Sequence, residues 1–168
     1  MFSSLKEGLI KISFFVAYIY IISLMNDIKR VFQYHGAEHK SIFAYEKGLE
    51  LTVDNVKKMP RLHPRCGTNF IFVVLMVSTF VFSFFTFENV LTRSILKLIF
   101  FPVVAGIAYE IIKIAGKYQN PFTRVLILPG LLMQKITTRE PDEKQIEVAI
   151  AALQATLDKT EVVSPSPT

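Results

Sequence analysis

Three long apolar runs divide the chain, and the length of each predicts what it becomes. The first, Ile12 to Met25, extends upstream through Gly8, Leu9 and Ile10 and so takes in Lys11. A lysine that close to a helix end can snorkel to the headgroups, so a span over 9–26 is about long enough for a hydrocarbon core of roughly 30 Å. The second, Phe70 to Phe87, holds no charged residue and is the clearest of the three. Its Ser78, Thr79, Ser83 and Thr86 can hydrogen-bond a neighbouring helix or their own backbone. The third, Ile95 to Ala115, carries Lys97, Glu110 and Lys113, with Pro102 placed to kink it. A shorter run, Phe122 to Met133, is interrupted by Pro129-Gly130; too short to cross, it reads as re-entrant or interfacial.

Beyond Thr137 the pattern changes. Thr138, Glu140 and Pro141 read as a helix start. Ile146, Val148, Ala149, Ala152, Leu153 and Leu157 then recur near helical spacing, which predicts an amphipathic helix over 137–161. Such a helix must dock on the long loop or on the membrane surface. Residues 162–168, with two prolines and two serines, read as a flexible tail. The expected fold is an all-α integral membrane protein. A membrane domain over 1–136 carries about three transmembrane helices (9–26, 70–87, 95–115), a helical cytoplasmic loop (27–69) and the re-entrant segment; the C-terminal helix follows.

Composition agrees, since 51% of the 168 residues are apolar, more than a small water-soluble domain easily buries. The net charge of +5 raises the question of nucleic acid. The lysines and arginines, however, flank the apolar runs; no basic stretch interleaved with aromatics and no phosphate-cradling glycine loop is present, so a nucleic-acid partner is not expected. Their distribution sets topology instead. Lys29, Arg30, Lys40, Lys47, Lys57, Lys58, Arg61 and Arg65 lie between the first two spans, only Arg93 between the next two, and Lys113, Lys117, Arg124, Lys135 and Arg139 beyond. By the positive-inside rule the N-terminus lies outside, and the loop and C-terminus lie in the cytoplasm. Residues 1–11 do not resemble a cleavable signal. One cysteine excludes an intramolecular disulfide.

All three histidines and that cysteine fall between His35 and Cys66. His35 and His39, four apart, share one helix face and can hold one metal ion; Glu38 beside them can act as general base toward water. The spacing H-x-x-E-H is that of the inverzincin metalloproteases. His63 and Cys66, three apart in His63-Pro64-Arg65-Cys66, suit a turn aiming both at one ion. Cys66 would precede a helix N-terminus, where the dipole and Arg65 favour the thiolate. A single interfacial histidine is more often a hydrogen-bonder than a ligand, but the four together make an N/S set suited to Zn2+ or another divalent transition metal. Four ligands would close the site and make it structural; three would leave a position for water and give Glu38 its role. Glu110, an acid in an apolar helix, can ligate the metal, orient a ligating histidine, or pair with Lys113. Tyr34, Tyr45 and Tyr109 read as an interfacial belt.

The stretches Tyr34-His35-Gly36-Ala37-Glu38-His39-Lys40 and His63-Pro64-Arg65-Cys66-Gly67-Thr68 closely resemble the YqhQ-like family of bacterial membrane proteins. The ending Thr137-Thr138-Arg139-Glu140-Pro141 with Glu147 to Leu153 is similar to that family's ending. The resemblance implies a multi-pass protein of the bacterial plasma membrane and a predicted metal-dependent enzyme, without naming a reaction. Members usually begin with a segment similar to G-G-Q-A-V-I-E-G-V-M-M-R that this chain lacks. The expectation is therefore either a truncated or split version or a missing half carried on a separate polypeptide; if that segment supplies part of the site, this chain alone is expected to be inactive.

Two functions follow from these residues. One is a membrane-embedded zinc-type hydrolase at the cytoplasmic face, acting on a membrane peptide or lipid-linked substrate. In it His35, His39 and either His63 or Cys66 hold the metal, and Glu38 activates water. The other is a non-enzymatic, metal-stabilised scaffold that binds a protein partner or a second copy through the loop and tail helix. Membrane lipids are the partners common to both. A transporter relaying protons through Glu110 is disfavoured, because three spans are few for a pore and Glu110 lies near a helix end.

Overall fold

The computed structural model describes residues 2–163 apart from 86–88 and 118–120, and among these residues it is all-helical. The helices are α1 (Phe2–Ile22), α2 (Asn26–Glu46), α3 (Val53–Lys57), α4 (Gly67–Ser83), α5 (Val90–Lys117), α6 (Pro121–Thr137) and α7 (Glu143–Val163). They fall into two compact units, one of Met1–Ile22 with Pro64–Ile136, the other of Ser23–His63 with Thr137–Thr168. The expected membrane domain over 1–136 is thus divided: the loop as far as His63 belongs with the C-terminal helix.

In the first unit α4 packs on α5 through Val73, Ala108 and Ile112, with Phe70, Val74 and Val77 around them. The expected span 9–26 is replaced by α1, which begins earlier and stops at Ile22, because Ser23 to Met25 leave helical geometry. The upstream extension carries Glu7, and Arg93 of α5 donates to both of its carboxylate oxygens, 3.1 Å at Oε1. Residues 86 and 87 of the second expected span lie outside the described residues; the helix itself covers Gly67–Ser83. The third begins five residues early, at Val90, because the Asn89 side chain accepts from the Leu91 N–H at 2.8 Å and caps it. α5 then runs through Pro102 for 28 residues, about 42 Å at 1.5 Å per residue. Among the described residues α5 is the one helix by itself long and apolar enough to cross a bilayer; α4, apolar but 17 residues long, is shorter. The run 122–133 lies within α6, which continues through Pro129-Gly130. Its buried positions among the described side chains, Thr123, Ile127, Gly130, Met133, Gln134 and Thr137, recur at three- and four-residue helical spacing on both sides of Pro129, so one lost backbone bond at the proline does not end it.

In the second unit α2 buries a stripe of mostly short side chains, Gly36, Ala37, Lys40, Ser41 and Ala44. Ala37 and Ala44 form one core with Val56 of α3 and Ile146 and Ile150 of α7. The C-terminal helix therefore docks on the loop. α2 ends in a Schellman motif: Leu49 N–H donates to Ala44 C=O at 3.0 Å and Gly48 N–H to Tyr45 C=O at 2.9 Å. Gly48 takes the left-handed φ of 66° that this turn needs. α7 does not begin at Thr138 as expected. Asp142 and Gln145 form a capping box, Gln145 N–H to Asp142 Oδ1 at 2.8 Å and Asp142 N–H to Gln145 Oε1 at 2.9 Å, so the helix starts at Glu143. It continues to Val163, past the expected end at 161; residues 164–168 of the expected tail lie outside the described residues.

Candidate metal centre

The second unit gathers all three histidines. His35 and His39 project from one face of α2 with ring centroids 4.4 Å apart, and His63, in the segment after α3, lies 5.7 Å from His39. His39 and His63 are buried and His35 half-buried. Phe43, one turn beyond His39, packs on His63 at 4.5 Å between centroids.

Each imidazole of the helical pair is held by a backbone carbonyl from far along the chain. His35 Nδ1 lies 2.8 Å from Thr137 O, and His39 Nδ1 lies 2.6 Å from Arg61 O. A carbonyl oxygen only accepts, so Nδ1 carries the proton in both rings and Nε2 is the basic nitrogen. This is the arrangement by which metal-binding histidines are oriented and made more basic. Arg61 joins the two anchors, because its Nη1 donates to Thr138 O at 3.3 Å. His63 is turned the other way: its Nε2 faces Glu46 Oε2 at 3.3 Å, so the carboxylate accepts there. The two imidazoles at one-turn spacing carry the donor type that a zinc-type ion prefers, whereas His63 engages Glu46 through its Nε2.

Residues 137–140 form the strap that supplies the His35 anchor. Arg139 N–H donates to Phe32 C=O at 2.8 Å, its Nη2 donates to Ser23 C=O at 3.2 Å, and Gln33 Nε2 donates to Glu140 C=O at 3.4 Å. Close approach requires Gly36, where a Cβ would stand 2.1 Å from the Arg139 carbonyl oxygen. Lys40, buried on the same helix, donates to Lys57 C=O at 3.0 Å and pairs with Glu140.

Glu38 is exposed and lines a groove of about 340 Å³ with Tyr34 and Ile42 of α2 and Val148, Ala152 and Leu153 of α7. At about 100° per residue it stands roughly 60° around α2 from His35 and 100° from His39. The glutamate of H-E-x-x-H has the same two offsets from its histidines, taken in reverse. Cys66 and Glu110 belong to the other unit. Cys66 is buried at the cap position of α4, its Sγ 3.1 Å from Thr68 Oγ1. Glu110 is exposed on α5 and accepts from Lys113 Nζ at 3.1 Å, the ion pair that was one of its three readings.

Glu46 and Lys40 were missed by sequence reasoning, although Glu46 recurs seven residues after His39 on the same helical face. The carbonyls of Thr137 and Arg61 leave no trace in residue type.

The fold and site together define an all-helical protein with a cluster of three oriented histidines. The chain belongs to the family described as "Protein of unknown function (DUF1385)", which it matches over residues 1–159. It is similar to the uncharacterized protein YqhQ of Bacillus subtilis (strain 168), 42% identical over 152 residues, which is 90% of this chain and 48% of that protein. The chain thus spans about half the length of this curated relative. No solved structure matches it.

Proposed function

We propose that this chain is a membrane-embedded, zinc-type metal-dependent hydrolase, working at the cytoplasmic face on a membrane peptide or a lipid-linked substrate. The observation that carries this reading is the carbonyl-held pair His35 and His39 with Glu38 one row around the helix. His35 and His39 would hold the ion through Nε2, with His63, or Cys66 three residues beyond it, as a further donor. A bound zinc-type ion supplies Lewis acidity toward a carbonyl or phosphoryl group. The residues of the chain do the rest: Glu38 takes the proton from water, and the α2–α7 groove, largely apolar on its α7 side, receives the substrate. Membrane association is supported by the length and apolarity of α5 and by the large side chains left exposed on α1, α4 and α5, among them Phe14, Phe80 and Leu98. The three spans and the outside N-terminus of this proposal rest on the apolar runs and on the placement of lysines and arginines in the sequence.

The test is metal content of the detergent-purified full chain by elemental mass spectrometry. About one zinc-type ion per chain, lost in His35→Ala/His39→Ala and kept in Glu38→Gln, is expected; no metal in the unaltered chain overturns the site. Chelator-sensitive cleavage of membrane peptides or lipid-linked substrates should vanish in Glu38→Gln, and activity retained there sinks Glu38 as base.

A second reading, a metal-stabilised scaffold, is favoured by the burial of His39 and His63. In that case chelation unfolds the second unit. Full helicity and an unchanged melting temperature after metal removal count against it.

A further inference from the structure

The groove between α2 and α7 in the second unit contains a polar group that packing does not explain. Ser41 lines the groove, yet it is only 1% exposed and its hydroxyl has no hydrogen-bond partner among the described residues. A serine inside a helix ordinarily bonds back to the carbonyl one turn earlier or turns out to solvent. Ser41 does neither, and a buried hydroxyl left unbonded costs stability that an alanine would keep. Three residues before it, Glu38 carries the one charge among the described residues that line the groove. That negative spot stands on a chain whose net charge is +5. Ile42, Val148, Ala152 and Leu153 make most of the remaining lining apolar.

These three features select among occupants. A purely apolar ligand, such as an acyl chain, would leave the Ser41 hydroxyl unbonded. A phosphate-bearing ligand would bring like charge against Glu38, with no basic side chain among the described lining residues to receive it. A peptide meets all three: a backbone carbonyl accepts from the hydroxyl, apolar side chains fill the groove, and a basic side chain is drawn by the carboxylate. Residues three apart on a helix stand about 5–6 Å apart at Cβ. One or two residues of extended chain cover that distance at about 3.3 Å each. We propose that the groove binds a peptide segment in which a lysine or arginine stands among apolar residues, with Ser41 donating its hydroxyl to a backbone carbonyl and the basic side chain held in the field of Glu38. That this peptide is the substrate rests on the hydrolase reading; its binding uses none of the histidines.

The experiment is fluorescence anisotropy of two labelled, terminally blocked peptides, Leu-Leu-Lys-Leu and Leu-Leu-Glu-Leu, titrated with the purified full chain in an uncharged detergent. Both carry the same apolar residues, so their partition into micelles is matched. The lysine peptide should bind about fivefold more tightly than the glutamate one, the reverse of what the net charge of the chain favours. Glu38→Gln should erase that difference. Ser41→Ala should weaken the lysine peptide about fivefold and leave the melting temperature unchanged or raised, because the hydroxyl is bonded only when the groove is filled. Ala152→Leu, which fills the groove from an exposed position, should weaken both peptides. Equal affinities in the unaltered chain, or binding unchanged in Ser41→Ala, overturn the site. So does a fall in melting temperature in Ser41→Ala, which would assign the hydroxyl to the fold. Farnesyl phosphate binding more tightly than the lysine peptide makes the groove a site for lipid-linked anions and overturns the peptide assignment. Mass spectrometry of the same samples separates the two readings. A lysine peptide held with preference but left intact refutes the hydrolase reading alone, whereas metal-dependent cleavage without the lysine preference refutes this inference alone.

Discussion

The two units solve the problem of cohesion in opposite ways. In the first, helices meet through a few apolar contacts such as Val73 with Ala108 and Ile112, while Phe14, Val90 and Leu98 stay at least three-quarters exposed. Burial cannot account for those side chains; an apolar surrounding would. In the second, the core of Ala37, Ala44, Val56, Ile146 and Ile150 is small, and the elements are joined by directional bonds from His35, His39, Lys40, Arg61 and Arg139 to backbone carbonyls. A fold held by direction tolerates little displacement, whereas one held by apolar surface tolerates much.

The strongest way to break that contrast is Gly36→Val, which drives side-chain atoms into the Arg139 carbonyl and should cost about 3 kcal/mol, with both histidine anchors loosened. Thermal unfolding in detergent with limited proteolysis between α7 and the strap would register it; an unchanged melting temperature would show that the strap yields freely. Lys40→Met removes the donor to Lys57 C=O and the partner of Glu140. Since Glu140 is 64% exposed, the loss is largely that of the carbonyl bond, about 1–2 kcal/mol by the same measurement. The opposite sign is expected in the first unit. Gly106 on α5 has open space where a Cβ would go, so Gly106→Ala should gain up to about 1 kcal/mol, and a loss there would reveal a tight contact. Asp142→Ala, which opens the capping box, should cost about 1 kcal/mol and fray the first turn of α7 in hydrogen exchange.

The smallest effect depends on pH. Lys57 donates to Glu143 at 2.9 Å and holds its carboxyl below the ordinary value of 4.5. A lowered folded-state value means that the contribution is present above the ordinary value and disappears as pH falls through the folded one. Urea unfolding should therefore separate wild type from Glu143→Gln slightly at pH 6 and leave them indistinguishable at pH 3. A difference that persists at pH 3 would assign it to packing instead.

Helix content and the approximate place of each apolar run were legible because they depend on residue type and period. The helix limits were less so. α1 starts early because Glu7 meets a partner 86 residues on, and α7 starts late because Asp142 rather than Thr138 finds a reciprocal cap. The histidines were legible as a group, and the i,i+4 pair in particular. Their protonated nitrogens were not, since Thr137 and Arg61 act through carbonyls that any residue carries. The grouping of 23–63 with the C-terminal helix was legible only as one of two alternatives, docking on the loop or on the membrane surface, because the small-residue stripe on α2 does not say which helix will fill it.

That grouping has a consequence for how the chain is made. His35 and the carbonyl that orients it are 102 residues apart, with four helix-forming segments synthesised after α2 before the strap appears. At 5–20 residues per second the ribosome needs about 5–20 s to deliver Thr137. During that interval His35 is without its anchor while α4, α5 and α6 are being produced. Orientation of the histidine pair is therefore a late event in biogenesis, completed after the most apolar part of the chain has left the ribosome.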